Sequence, residues 1–280
     1  MMKNTELQIP AQNNPGTALR TATMLYSMVC YMIGVVTLVY LILFIADLLV
    51  PVTINRGAGF APDFKGTNAI FWNMGVVLVW GLQHSIMARP TFKRVWTKLV
   101  PLPIERSTYL VCVTMASIIL VTFWIPLPAV IWDFSDMSIG WLLMGVYFLG
   151  WCIVLFSTFL INHFHLFGLQ QAFEFLRRHQ SKKETFQTPL LYKLVRHPMM
   201  SGVLVALWAV PTLTVGRLVF NVFMTAYVFI GLYFEERTLT AELGADYERY
   251  KETTPSVIPR LNGKQVPNHV SAGPTRQLLD

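Results

Sequence analysis

An all-α, polytopic transmembrane helical bundle is the fold class this chain predicts: five to six spans, a C-terminal helical hairpin among them, and both termini cytoplasmic. Three observations predict it. Composition comes first: 54% of the residues are hydrophobic and 13% charged, a balance foreign to an ordinary water-soluble domain. Second, the apolar residues fall in blocks of bilayer-crossing length, near 25–50, 69–88, 107–132 and 139–161, followed by two shorter blocks near 199–215 and 218–234. Third, six spans would put nineteen of the 22 Lys and Arg residues on one side, in 1–24, 89–106, 162–198 and 235–280, leaving only Arg56, Lys65 and Arg217 on the other. That asymmetry marks the basic side as cytoplasmic. The formal charge of +7 thus reflects topology and headgroup contact, not a nucleic-acid partner.

Taken in order, residues 1–24 are polar and lack the charged-then-apolar sequence of a cleaved signal peptide, so they are expected to be flexible. Asp47 falls near the outer end of the first span, within reach of the interface. Pro126 and Pro128 close the third span and Pro211 the fifth, as helix breakers do. In 164–178, Leu166, Leu169, Phe173 and Leu176 recur at helical spacing, with Gln170, Glu174, Arg177 and Arg178 elsewhere on the wheel. This predicts an amphipathic helix at the cytoplasmic interface, either an anchor or a lid. After the last span, Leu239, Leu243, Tyr247 and Tyr250 continue the helical period past Glu235 and Glu236. Glu236 falls nearer that stripe than Glu235, unless Gly244 resets the phase. The tail 261–280, rich in Gly, Pro, Asn and Gln, is again expected to be flexible. No repeat or long linker divides 25–260, which reads as one domain. Cys30, Cys112 and Cys152 sit inside spans without CxxC spacing and read as small apolar residues.

The polar residues of the C-terminal half form two groups around one apolar hairpin. In Arg196-His197-Pro198, proline holds His197 in extended geometry and starts a helix at the membrane entry. The backbone N–H groups of Met199, Met200 and Ser201 then suit an anion, and Gly202 permits close backbone approach. Beyond the hairpin stands Glu235-Glu236-Arg237. Two carboxylates at the end of an apolar span are costly unless solvated or paired, and Arg196, Arg237 or a cationic ligand could pair them. An anion-binding helix start facing two carboxylates suits a zwitterion.

The series Arg196-His197-Pro198, hairpin, Glu235-Glu236-Arg237, Tyr247-x-x-Tyr250 and Pro259 resembles the cofactor half of membrane methyltransferases related to isoprenylcysteine carboxyl methyltransferase. The motifs Gln83-His84-Ser85, Glu105-Arg106-Ser107-Thr108-Tyr109 and Asn162-His163-Phe164-His165-Leu166-Phe167-Gly168 narrow this to the methanethiol S-methyltransferase family. The chain departs from the wider group at Met200, where tyrosine is common, and at His165, where an acidic residue is expected. The resemblance covers about 25–260. It implies an enzyme of the bacterial inner membrane, with its active site facing the cytoplasm, that converts methanethiol to dimethyl sulfide using S-adenosylmethionine. It divides the domain into an acceptor half (25–163), an interfacial helix and loop (164–190) and a cofactor half (191–260). Cofactor contacts are expected from Tyr192, Arg196, His197, Met200, Gly202, Glu235, Glu236, Tyr247 and Tyr250.

The reaction so implied is an in-line displacement in which a thiolate and a sulfonium lose their charges together, favoured by a dry site. A base must take the thiol proton, and histidine is the natural choice: His84 first and His163 second, with Tyr109 or Arg106 holding the sulfur. His163-x-His165 has neither zinc nor di-iron spacing, so no metal is expected. Trp80, Trp96 and Phe167 near the inner face favour a small acceptor. The partners implied are a volatile thiol and membrane lipid, with no obligate protein partner. The alternatives are a membrane methyltransferase acting on a lipid-borne or isoprenylcysteine acceptor, and a non-enzymatic membrane protein. All five motif positions, His84, Tyr109, His163, His197 and Glu235, should converge at the cytoplasmic ends of the spans.

Overall fold

The computed structural model describes residues 15–179 and 188–260. The tail 261–280 and residues 1–14, both expected to be flexible, lie outside the described residues. Helix α1 (Thr17–Ala46) starts earlier than expected, because 17–24 are its first turns. Arg20 explains the extension, since its Nη1 donates to the Leu176 carbonyl at 3.0 Å and ties those turns to a distant segment. At its other end Asp47 adopts φ 60°, a left-handed cap that Asp tolerates.

Helix α2 (Gly66–Ala88) stops where Pro90 forces Arg89 into extended geometry, and the same proline begins α3 (Pro90–Trp96). A 3-10 turn (Leu102–Ile104) leads into α4 (Glu105–Phe123). The expected third span ran to 132, but the helix ends ahead of Pro126 and the chain continues as strand β1 (Val130–Asp133). Helix α5 (Ser138–Ile161) follows.

The interfacial helix expected at 164–178 is two pieces, α6 (His163–Leu166) and α7 (Leu169–Arg177). Gly168 breaks it at φ 88°, and a Cβ there would lie 2.8 Å from the Ser107 nitrogen at the start of α4. Close approach therefore needs glycine twice over, for conformation and for space. A short turn, α8 (Leu191–Leu194), precedes α9 (Pro198–Trp208). After strand β2 (Thr212–Thr214) comes α10 (Val215–Leu243), which Gly244 separates from α11 (Ala245–Thr253) at φ 59°. The expected unbroken helix through Tyr250 is thus bent at the residue that can reset its phase.

Among the described residues, five helices are long and apolar enough to cross a membrane: α1, α2, α4 with its 3-10 turn, α5 and α10. The expected span at 199–215 is instead an 11-residue helix followed by extended chain that ends in β2. Together they run from the end of the bundle holding His197 to the end where β2 pairs antiparallel with β1. Non-helical backbone at such depth survives only if protein satisfies it. Buried Arg217 does this, donating to the Thr212 carbonyl at 2.6 Å and to the Ile45 carbonyl. Asn221 donates to the Leu207 carbonyl at 2.5 Å. On the neighbouring loop, Asn73 clamps both backbone groups of Ile125.

The largest buried cluster, with Phe44, Ile54, Trp124, Tyr147, Leu207 and Phe220, fills this same half of the bundle. Helices α5 and α9 meet at a glycine pair: a Cβ on Gly150 or Gly202 would come within 2.6 Å of the other's carbonyl oxygen. The opposite end is less apolar, and it collects the polar motifs.

Candidate functional site

At that opposite end, Pro198 places His197 just outside α9, with φ −126° and ψ 64°. Arg196 and His197 then reach one oxygen of one carboxylate. Glu236 Oε1 accepts from Arg196 Nη2 at 2.6 Å and Nε at 3.0 Å, from His197 Nε2 at 3.1 Å, and from Ser256 Oγ at 3.3 Å. His197 Nδ1 is 3.8 Å from Glu235 Oε2. The Glu236 side chain is 23% exposed and that of Glu235 51%, so Glu236 is the inward carboxylate, as its phase along the helix suggests. Charge-assisted bonds of this length, partly shielded from water, are among the strong ones.

A segment that the sequence did not single out closes the cluster. Residues 254–257 return along the motif: the Arg196 and His197 N–H groups donate to the Pro255 and Ser256 carbonyls at 2.8 and 3.0 Å. Arg196 Nη1 donates to the carbonyls of Lys251, at 3.2 Å, and Thr254. Ser201 Oγ donates to the Val257 carbonyl at 2.6 Å. The only sequence signal is Pro255, which ends α11 and sends the chain back.

Tyr250 donates its hydroxyl to the Tyr192 carbonyl at 2.5 Å, and its ring lies 5.9 Å from the buried ring of Tyr247. Burial pushes the phenols of Tyr192 and Tyr247 up to about 12 and raises that of Tyr250 as well. All three are neutral hydroxyls at physiological pH. Two expected cofactor positions point elsewhere. Met200 packs with Val228, Leu232 and Val257, and the close approach that Gly202 allows is to Gly150 of α5.

The candidate residues expected in an acceptor half divide into two further clusters. His84 on α2 stacks on Trp80 at 5.3 Å, and both its Nδ1 and its carbonyl oxygen lie 3.0 Å from the Tyr109 hydroxyl on α4. Trp80 is held in turn by Ser117, whose Oγ accepts from Nε1 at 3.0 Å. The neighbouring Ser85 hydroxyl is 2.8 Å from that of Tyr227 on α10. His163 stands apart from these, against α1. Thr158 gives its hydroxyl proton to the Leu155 carbonyl (2.6 Å), so its oxygen must accept from His163 Nδ1–H (2.8 Å). The bare Nε2 then accepts from Tyr31, 2.8 Å away. Burial holds this imidazole below the ordinary histidine value. Both nitrogens of the second candidate base are thus engaged within the protein. Arg106 Nη1 donates to the His165 carbonyl at 3.3 Å, joining α4 to α6. Of the three bulky residues, only Trp80 borders His84; Trp96 stacks on Phe92, and Phe167 packs on Tyr31 and His163.

Helix α10 lies between the His84 and Glu236 clusters. Tyr227 and Phe234 face α2, the latter beneath the Arg89 guanidinium at 5.0 Å. Glu236 is half a turn from Tyr227 in phase and faces Arg196. The structure gathers the motifs at one end but does not put His84 against Glu236.

Comparison with known proteins decides the family. Over 242 residues, 86% of this chain and 92% of the relative, the sequence is 43% identical to methanethiol S-methyltransferase 2 of Bradyrhizobium diazoefficiens. It is 42% identical over 235 residues to methanethiol S-methyltransferase 1 of the same organism, covering 84% of this chain and 81% of the relative. It is 41% identical over 240 residues to methanethiol S-methyltransferase of Mycobacterium tuberculosis, covering 86% and 97%. The chain belongs to the methanethiol S-methyltransferase family. No family model matches it, and no solved structure matches it significantly. Membership in this family makes the bundle an enzyme scaffold.

Proposed function

We propose that the protein methylates methanethiol to dimethyl sulfide, with S-adenosylmethionine as donor held at the Arg196–His197–Glu236 cluster. The observation that carries the reading is that cluster: a guanidinium, an imidazole and two carboxylates gathered at one end of an apolar bundle in a methanethiol S-methyltransferase chain. Its chemistry fits the donor's zwitterionic end. Among the described residues, every hydrogen bond to the Glu236 carboxylate is made by Oε1, which leaves Oε2 and Glu235 to face ammonium or ribose hydroxyl groups. The first N–H groups of α9, at Met199 and Met200, suit the donor's carboxylate. Tyr247, Tyr250 and Tyr192 line the flank, whereas Met200 and Gly202 contribute backbone and packing. When bound, the donor supplies an electrophilic methyl group on a sulfonium.

His84 is the base. It takes the thiol proton on the face of α10 toward α2, where Trp80 and Tyr227 exclude water and leave a thiolate poorly solvated. Because α10 lies between the clusters, the acceptor sulfur must pass that helix to meet the methyl group. A thiol with one carbon is suited to such a path and a prenyl chain is not. The bundle makes six crossings, the sixth by α9 and 209–214, and the excess of Lys and Arg puts both termini and the site on the cytoplasmic face of a bacterial inner membrane.

The test is headspace gas chromatography of purified protein given methanethiol and S-adenosylmethionine, alongside a radiolabel assay with a farnesylated cysteine. Dimethyl sulfide alone is the expected result. Methylation of the farnesylated substrate without dimethyl sulfide would overturn the assignment.

A further inference from the structure

The contacts of His84 assign its protons. The Tyr109 hydroxyl is 3.0 Å from the His84 carbonyl oxygen and 3.0 Å from His84 Nδ1. A phenol has one proton to give, and a carbonyl oxygen can only accept. Both contacts are full, two-centre hydrogen bonds only if Tyr109 donates to the carbonyl and accepts from Nδ1–H. The neutral imidazole then carries its proton on Nδ1 and its lone pair on Nε2. Among the described residues, Nε2 has no hydrogen-bond partner. His163 provides the internal contrast, because the same argument gives it the same tautomer, yet there Tyr31 takes up the Nε2 lone pair.

We infer that Tyr109 is a positioning residue that locks His84 in the Nδ1–H tautomer, so that Nε2 is the nitrogen that takes the thiol proton. This rests on His84 being the base in the proposed reaction, and it removes Tyr109 as a holder of the sulfur. The donor proton a sulfur contact would need is spent on the backbone. The ring plane is fixed from a second side by Trp80, stacked within 6° of parallel and itself anchored through Ser117. Turning the imidazole over would disrupt that stack in passing and would give up the Tyr109 bond.

The test is nitrogen NMR of the full chain in lipid nanodiscs, labelled with [15N]histidine and assigned by subtracting the spectrum of His84→Gln. At neutral pH His84 should show a protonated Nδ1 and a bare Nε2. In Tyr109→Phe the Nδ1–H loses its acceptor, and the Nε2–H tautomer should gain. Turnover should then fall about tenfold, the worth of one net hydrogen bond, through kcat with KM for methanethiol unchanged. A wild-type spectrum with Nε2 protonated would overturn the inference, even if Tyr109→Phe failed to fold. So would an unchanged tautomer in Tyr109→Phe, or a rise in KM with kcat intact, which is the signature of a sulfur contact. Activity of His84→Ala is read separately. Wild-type turnover there would remove the base and with it the catalytic half of the inference, whereas the tautomer itself is decided by the spectrum alone.

Discussion

The two faces of α10 hold unlike chemistry. Toward α2, Tyr227 and Phe234 meet a neutral group of hydroxyls, indole and imidazole, with Arg89 only at the rim. Half a turn away, Glu236 draws in a guanidinium, an imidazole and a serine. The difference teaches how one helix can present charged chemistry on one face and neutral chemistry on the other. The charged face is already paired within the protein, so its carboxylates are tolerable in an apolar setting before any ligand arrives. The neutral face has no such cost to offset and can hold a single uncommitted lone pair.

The largest effect expected is on the charged face. Glu236→Ala removes the shared acceptor of Arg196 and His197, and should weaken binding of S-adenosylhomocysteine about a hundredfold or more, as titration calorimetry would show. His197→Ala should act in the same direction. Near-wild-type affinity in both would break the division between the faces, because it would move the donor elsewhere.

On the neutral face, His84→Ala should lower kcat about a hundredfold while leaving S-adenosylhomocysteine affinity close to wild type. The defect should shrink as pH rises, since more of the thiol ionises without help. A loss of cofactor affinity in this variant would merge the two faces into one site.

His163 sharpens the comparison as a histidine whose two ring nitrogens are both engaged within the protein. Its folded pKa is depressed by burial, so the folded state resists the proton that the unfolded chain accepts below about pH 6.5. The stability it contributes is present above that pH and is lost as pH falls. His163→Gln should keep turnover near wild type at neutral pH and lower the midpoint of thermal unfolding by about 2–4 °C. Its midpoint should also fall less than that of the wild type between neutral and mildly acidic buffer. Turnover abolished in a folded His163→Gln protein would restore it as a base.

The smallest effect belongs to Glu235→Ala. Its carboxylate is half-exposed and 3.8 Å from His197, and exposed pairs contribute little. A loss of under about tenfold in S-adenosylhomocysteine affinity is expected. A loss equal to that of Glu236→Ala would mean that both carboxylates touch the ligand.

Much of the fold was legible because membrane insertion is read locally. Block length and low charge mark α1, α2, α4, α5 and α10 without knowledge of what packs on what, and Pro198 alone sets where α9 begins and His197 stands. The misreadings share a cause. Residues 199–215 are mostly apolar, yet 209–214 are non-helical chain, made tolerable by Arg217 and Asn221 from the next helix. Gly168 and Gly202 look alike in a sequence, but one turns the chain against Ser107 and the other admits a neighbouring helix. Residues 254–257 carry no charge or aromatic ring, Pro255 signals only a turn, and their carbonyls became hydrogen-bond acceptors only when the chain returned to Arg196.

By itself, then, the sequence determined the environment, the family, the direction of the spans as an expectation from charge, and the residue types able to do the chemistry. All of these follow from properties a residue has alone or with near neighbours: hydropathy, charge, backbone restriction. Tertiary structure decided which polar groups meet. It paired His84 with Tyr109 across two helices, consumed both nitrogens of His163, and turned Glu236 away from His84. Such pairings depend on helix rotation and depth, and one residue's shift in packing turns a side chain by about 100°. No local signal carries that angle.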